Sequence, residues 1–125
     1  MKFQPRKWAE WYAGEIAKLY LLNSGLVNLL PDREEKYDFI AVSSRQPLKQ
    51  LPVKIKATKY RPSEIFKAYQ KTRANLVRRK SPVLVMYVDY DSREGFYEYI
   101  DDKLPKELSK LDVKEFNKTL GKLIK

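Results

Sequence analysis

Val83-Leu84-Val85-Met86-Tyr87-Val88 is the stretch on which the fold turns. Six apolar residues in a row, opened by Pro82 and closed by Asp89, offer water no polar side. Such a run reads as a strand covered on both faces, which belongs in a sheet with helices packed above and below. Downstream, Asp91-Ser92-Arg93-Glu94-Gly95 is a turn, and residues 96–100 pair back as a further strand. Upstream, Pro62-Ser63-Glu64 opens a helix that runs to about residue 79. Ser63 or a neighbour is its expected cap, and Ile65, Phe66, Tyr69, Leu76 and Val77 form its apolar side.

Three short strands precede that helix, at residues 26–30, 37–43 and 51–58. Pro47 marks a hairpin turn between the second and third. Residues 6–23 are helical by period: Trp8, Trp11, Tyr12, Leu19 and Leu22 follow the i, i+3, i+4 spacing of a buried stripe, and Gly25 ends the helix. After Asp101-Asp102 comes a last helical part, with Leu108, Leu111, Phe116, Leu120 and Leu123 as core contacts. The order is α-β-β-β-α-β-β-α. One α/β domain over residues 1–125 is expected, with a mixed central sheet flanked by helices.

The composition excludes several chemistries. With 125 residues, 43% of them hydrophobic, the chain can bury a real core. It has no cysteine and no histidine. Disulfides, thiolate metal sites, common zinc sites and any imidazole base are therefore ruled out. Carboxylates, lysines, hydroxyls and a hard cation such as magnesium remain. The net charge of +10 favours a polyanionic partner, most simply nucleic acid. No apolar run reaches the ~18 residues that span a membrane. The opening Met1-Lys2-Phe3-Gln4-Pro5 is unlike a signal peptide, so a cytoplasmic protein is expected.

Three charges stand in places that disfavour charge. Glu15 falls at about −20° from Trp8 on a helical wheel, between Leu22 and Leu19, and so in the expected buried stripe. Asp38 opens the apolar run Phe39-Ile40-Ala41-Val42. Lys54 and Lys56 alternate with Val53 and Ile55 on the third strand. If the second and third strands pair antiparallel, Asp38 and Lys56 face one side. Each has a plainer reading: an ion-paired glutamate, a strand-opening aspartate bonding local backbone, and two lysines on a solvated face.

Helix Glu15, then Tyr37-Asp38 on a strand, then Val53-Lys54-Ile55-Lys56 on the next resembles the PD-(D/E)XK nuclease superfamily. That superfamily holds the restriction endonuclease-like enzymes and the archaeal Holliday-junction resolvases. Gly14-Glu15-Ile16-Ala17 with Gly25 is similar to the opening of resolvase-like members. Residues 82–89 with Tyr97-Glu98-Tyr99-Ile100 are closer to uncharacterised bacterial branches. The resemblance covers about residues 9–100 and implies a restriction endonuclease-like core, helix, three-stranded meander, helix and strand. It further implies metal-dependent hydrolysis of DNA. Asp38, Glu15 and the Ile55 carbonyl would hold Mg²⁺ or Mn²⁺, and Lys56 would orient or deprotonate the attacking water. Lys54 departs from the pattern, which has Glu, Asp or Gln there; a lysine repels a divalent cation. Either the site works without that ligand, or Lys54 takes the cation's place in a degenerate protein that binds DNA or another protein. Many proteins of this fold dimerise, so a second copy is a further expected partner.

Residues 59–80 carry eight basic residues against the single acid Glu64, a net +7. Lys67, Lys71 and Arg78 lie within about 40° of one another, opposite Tyr69 and Leu76. With Lys54, Lys59, Arg61 and Arg79 they form the expected nucleic-acid-binding surface; a solvated helix face is the ordinary alternative.

Overall fold

A computed structural model describes residues 5–46, 48–79 and 81–124. The elements run α1 (Pro5–Asn23), β1 (Val27–Leu30), β2 (Phe39–Ser43), β3 (Gln50–Ala57), α2 (Pro62–Ala68), α3 (Gln70–Arg78), β4 (Val83–Val88), β5 (Gly95–Ile100), β6 (Ser109–Lys110) and α4 (Val113–Leu123). The strands form a single six-stranded sheet in sequence order. β1, β2 and β3 are an antiparallel meander, β4 runs parallel to β3 across the α2–α3 crossover, and β5 and β6 return antiparallel. This is the expected α/β class with a mixed sheet. The expected turn residue Pro47 lies outside the described residues.

All six residues of β4 are buried, because each face of this strand has its own core. On one face Leu84, Met86 and Val88 meet Val53 and Ile55 of β3, Ala13, Ile16, Ala17 and Leu21 of α1, and Phe116 and Leu120 of α4. On the other, Val83, Val85 and Tyr87 meet Ile65 of α2, Leu76 of α3 and Ile100 of β5. Burying each such side chain contributes about 1.5–3 kcal/mol. β4 and β5 approach closely at Gly95, where a Cβ would collide with the Tyr87 carbonyl oxygen.

The helices depart from the expectation in three ways. First, α1 is turned about half a revolution from its predicted phase. Its buried face is Ala13, Ile16, Ala17 and Leu21, whereas Trp11, Leu19 and Leu22 are 60%, 68% and 49% exposed. The helix has two apolar sides, and the one with small alanines lets its backbone approach the sheet. Second, the crossover helix breaks at Tyr69 (φ −111°, ψ 23°), which separates α2 from α3. Tyr69 then lays its ring 5.2 Å from that of Tyr87 and donates its hydroxyl to the Ala57 carbonyl at 3.3 Å. Third, the N-cap of α2 is Arg61, not Ser63, and no side chain caps it. Proline at its first position removes one of the donors a cap would serve.

The second core draws no residue from strands β1, β2 or β3. On that face α2 and α3 pack against β4 and β5, while the meander shows Asn28 and Leu30 exposed, Ile40, Pro52, Lys54 and Lys56 half-buried and Val42 buried.

Candidate functional site

The site grows from the border between β3 and the helix-covered strand β4. Strand alternation sends Val53 and Ile55 into the first core, so Lys54 and Lys56 project from the opposite face. Their partners on β4 are Val85 and Tyr87, both in the second core. The two lysines therefore stand at the step where the helical layer begins. Both are half-buried, and among the described residues neither forms an ion pair.

Asp38 lies on the same face. Phe39 pairs with Val53, so continuing the register puts Asp38 opposite Lys54. Its N–H donates to the Val53 carbonyl at 3.0 Å, and its carboxylate accepts the Ile55 N–H at 2.7 Å. Asp38 thus clamps the edge of β3 where β2 has run out. The loop leading to it is set by Asp32, whose carboxylate accepts the N–H groups of Glu34, Lys36 and Tyr37. These bonds, the one from Tyr37 foremost, hold the Asp32 carboxyl below its ordinary pKa.

Glu15 is elsewhere. It sits on α1, the helix that covers the other face, and accepts the Lys18 ammonium at 3.0 Å. With Tyr12, Ile16, Leu19, Tyr20 and Arg93 it lines a separate cavity of about 300 Å³. The α1 carboxylate that shares a cavity with Lys56 is that of Glu10. Glu10, Ala9, Lys56, Thr58, Lys59, Tyr69 and Tyr90 line a cavity of about 250 Å³ beyond the C-terminal ends of the parallel strands β3 and β4. That crevice is the usual ligand position in open α/β sheets. Sequence reading passed over Glu10 because it fixed the wrong face of α1.

The residues named for a divalent cation do not fit one. Asp38 already spends a carboxylate oxygen on Ile55 N–H, the Lys54 cation stands on its face, and Glu15, on the helix over the other face, is paired with Lys18. Among the described residues no three acidic side chains gather within reach of one ion. Lys54 does not ion-pair with Asp38 or Glu15, so it is not a stand-in cation bridging them either.

The basic surface is smaller than the sequence count. Arg73 is buried, and its guanidinium forks onto Glu98 through Nε at 2.9 Å and Nη2 at 2.8 Å. Glu98 also accepts the Tyr87 hydroxyl at 2.5 Å, and Arg73 donates to the Pro105 carbonyl at 3.0 Å. Burial, then Glu98, pushes the Tyr87 hydroxyl far above its ordinary pKa. Lys59 is hydrogen-bonded to Asp91, which raises its pKa and offsets its charge. Lys80 lies outside the described residues. Arg61, Lys67, Lys71, Arg78 and Arg79 are exposed as expected. Arg79 stacks on Tyr37, 5.6 Å from the ring centre, and helps line a cavity with Glu34, Lys36 and Ser81. Helical rotation puts Arg79 on the same flank of α3 as Thr72, with Lys71 and Arg78 further round.

A cationic step results. Lys54 and Lys56 form its floor, Arg79 and Tyr37 one end, and the Lys56 cavity the other. No helix among the described residues is long and apolar enough to cross a membrane. No family model, curated protein or solved structure matches this chain.

Proposed function

We propose that this chain is a restriction endonuclease-like domain that binds DNA along its lysine-bearing step and does not cleave it. The fold reading is supported by the element order: a helix, a three-stranded meander, a helical crossover, and a strand parallel to the third. The observation that carries the function is the pair Lys54 and Lys56, half-buried, side by side on one face of β3, with no ion pair among the described residues. A cation held partly out of water without an ion pair has a natural partner in a phosphate oxygen. The exposed Lys67, Lys71 and Arg78 extend the same field. Such contacts supply affinity and salt dependence, and they leave sequence unread.

Catalysis is the weaker reading, since the carboxylates it needs are apart or engaged. A single experiment separates the two. The purified chain is titrated with duplex, branched and single-stranded DNA at low and moderate salt, then incubated with supercoiled plasmid and Mg²⁺ or Mn²⁺. Salt-dependent binding without nicking is the expected result. Nicking that disappears in both Asp38→Ala and Lys56→Ala would restore the nuclease reading, and absence of binding at low salt would remove both.

A further inference from the structure

The cavity of about 250 Å³ beyond β3 and β4 differs in character from the step it adjoins. The step is lysine on a strand, whereas the cavity has aromatic walls. Tyr69 lines it from the break between α2 and α3, and Tyr90 from the turn after β4. Neighbours fix both rings. Tyr69 donates its hydroxyl to the Ala57 carbonyl at 3.3 Å, and its ring lies 5.2 Å from that of Tyr87 and 6.0 Å from that of Tyr60. Tyr90 meets Trp8 edge-on at 5.9 Å, and the Lys59 ammonium lies 5.1 Å from its ring centre. Walls held in this way lose little freedom when a ligand arrives.

The charges around the cavity select the occupant. Lys56, Lys59 and Glu10 line it, and Lys59 is bonded to the carboxylate of Asp91. Two cations against two carboxylates leave no net field to draw an anion inside. A flat, neutral ligand with polar edges suits such walls better, stacking on the rings while its edges meet hydrogen-bonding groups. Thr58 is buried there, and while its hydroxyl accepts the Tyr60 N–H at 3.1 Å it keeps a proton to donate. The volume lies below the roughly 300–1,000 Å³ of pockets for drug-sized ligands, which suits a single heterocyclic base. Lys56 belongs to both places, as floor of the step and as wall of the cavity. A nucleotide whose phosphate sits on Lys56 therefore has its base beside the two tyrosines.

We infer that the cavity receives the base of one unpaired nucleotide, in a DNA strand whose phosphate lies on Lys56. The inference rests on the DNA reading above and narrows it. A paired base must first leave its stack, and an extrahelical base is already out, so the chain prefers DNA that carries an unpaired nucleotide. Every base has a face to stack, so the preference is for the structure of the DNA and not for its sequence.

The test is a fluorescence-anisotropy titration of the full chain with three duplexes of one sequence: fully paired, with one extra adenine nucleotide, and with one extra abasic nucleotide. The extra adenine is expected to tighten binding by at least about fivefold over the other two, the lower range for a base stacked on an aromatic side chain. Tyr90→Leu keeps apolar bulk against Trp8 but removes the ring, so the ratio of bulged to paired affinity is expected to fall to one. Tyr90→Phe is expected to keep the ratio, with both variants folded by circular dichroism. Salt-dependent binding with equal affinity for paired and bulged duplexes overturns this inference and leaves the DNA reading standing, whereas no binding to any duplex removes both. An abasic bulge bound as tightly as the adenine bulge also overturns it, and that comparison needs only the wild-type chain. So does a ratio that survives Tyr90→Leu. Deoxyadenosine monophosphate bound as tightly as the bulged duplex would assign the cavity to free nucleotides and overturn the strand assignment.

Discussion

The Asp38 carboxylate accepts the Ile55 backbone N–H at 2.7 Å. This bond closes the edge of β3 at the point where its pairing with β2 ends. Asp38→Ala is expected to cost about 1.5–3 kcal/mol, the range of a hydrogen bond to a charged group, and to speed exchange of the Ile55 amide. Asp38→Asn keeps an acceptor and is expected to cost less. Mg²⁺ or Mn²⁺ at millimolar concentration is expected to leave the wild-type Tm unmoved, since a cation bound only by the folded chain would raise it. Calorimetry and hydrogen exchange check these outcomes.

Lys54 and Lys56 are expected to contribute one phosphate contact each. Removing either by alanine substitution should weaken DNA binding to a similar extent on every sequence and lower the salt slope by about 1. Fluorescence anisotropy at three or more salt concentrations reads both quantities. Lys59→Ala, with its charge already offset by Asp91, should change the slope less.

Arg73 and Glu98 form a buried ion pair, with side chains 7% and 0% exposed. Truncating one partner strands the other, so Arg73→Met or Glu98→Gln is expected to destabilise by about 3–5 kcal/mol in urea unfolding. The double variant should cost less than the two single costs combined.

Tyr87 donates to that same Glu98, and its ionisation is driven upward by burial. Above pH 10.0 an unfolded tyrosine sheds its proton while folded Tyr87 keeps it. The folded state then binds more protons than the unfolded state, so stability falls as pH rises. Tyr20 and Tyr99 act in the same direction. Tyr87→Phe should flatten the decline between pH 10 and 11 by up to about 1.4 kcal/mol per pH unit.

Asp32 behaves with the opposite sign. Its carboxyl is held below its ordinary value of 3.8 by the N–H groups of the 34–37 loop. The loop is therefore fully secured above pH 3.8 and loosens as pH falls through the lower folded value. The amide resonances of Lys36 and Tyr37 are expected to titrate together with an apparent pKa below 3.8. In Asp32→Asn they should not titrate in this range.

The apolar run of β4 made the class of fold legible, because a strand with no polar side needs cover on both faces. The meander was legible from alternation and turn residues. The phase of α1 was not: period alone finds two apolar faces there, and the larger side chains drew the choice. Only packing reveals that Ala13 and Ala17 admit the sheet where Trp8 and Trp11 cannot. Choosing the aromatic face also misplaced Glu15 and hid Glu10. Arg73 was counted with the surface, although it falls within about 60° of Tyr69 and Leu76, on the inward side. Glu98, alternating with Phe96 and Ile100 on β5, was its readable partner. Strand β6 is two residues long, too short to leave a pattern.

The sheet itself works as an insulating layer. The Lys54 side and the outer side of α1 are separated by the thickness of the β-layer and a helix, more than the ~10 Å beyond which substitutions usually act independently. A double variant carrying Lys54→Ala and Glu15→Lys should therefore show the simple sum of the two free-energy changes. Each surface can be redesigned, or can drift, without the other registering the change.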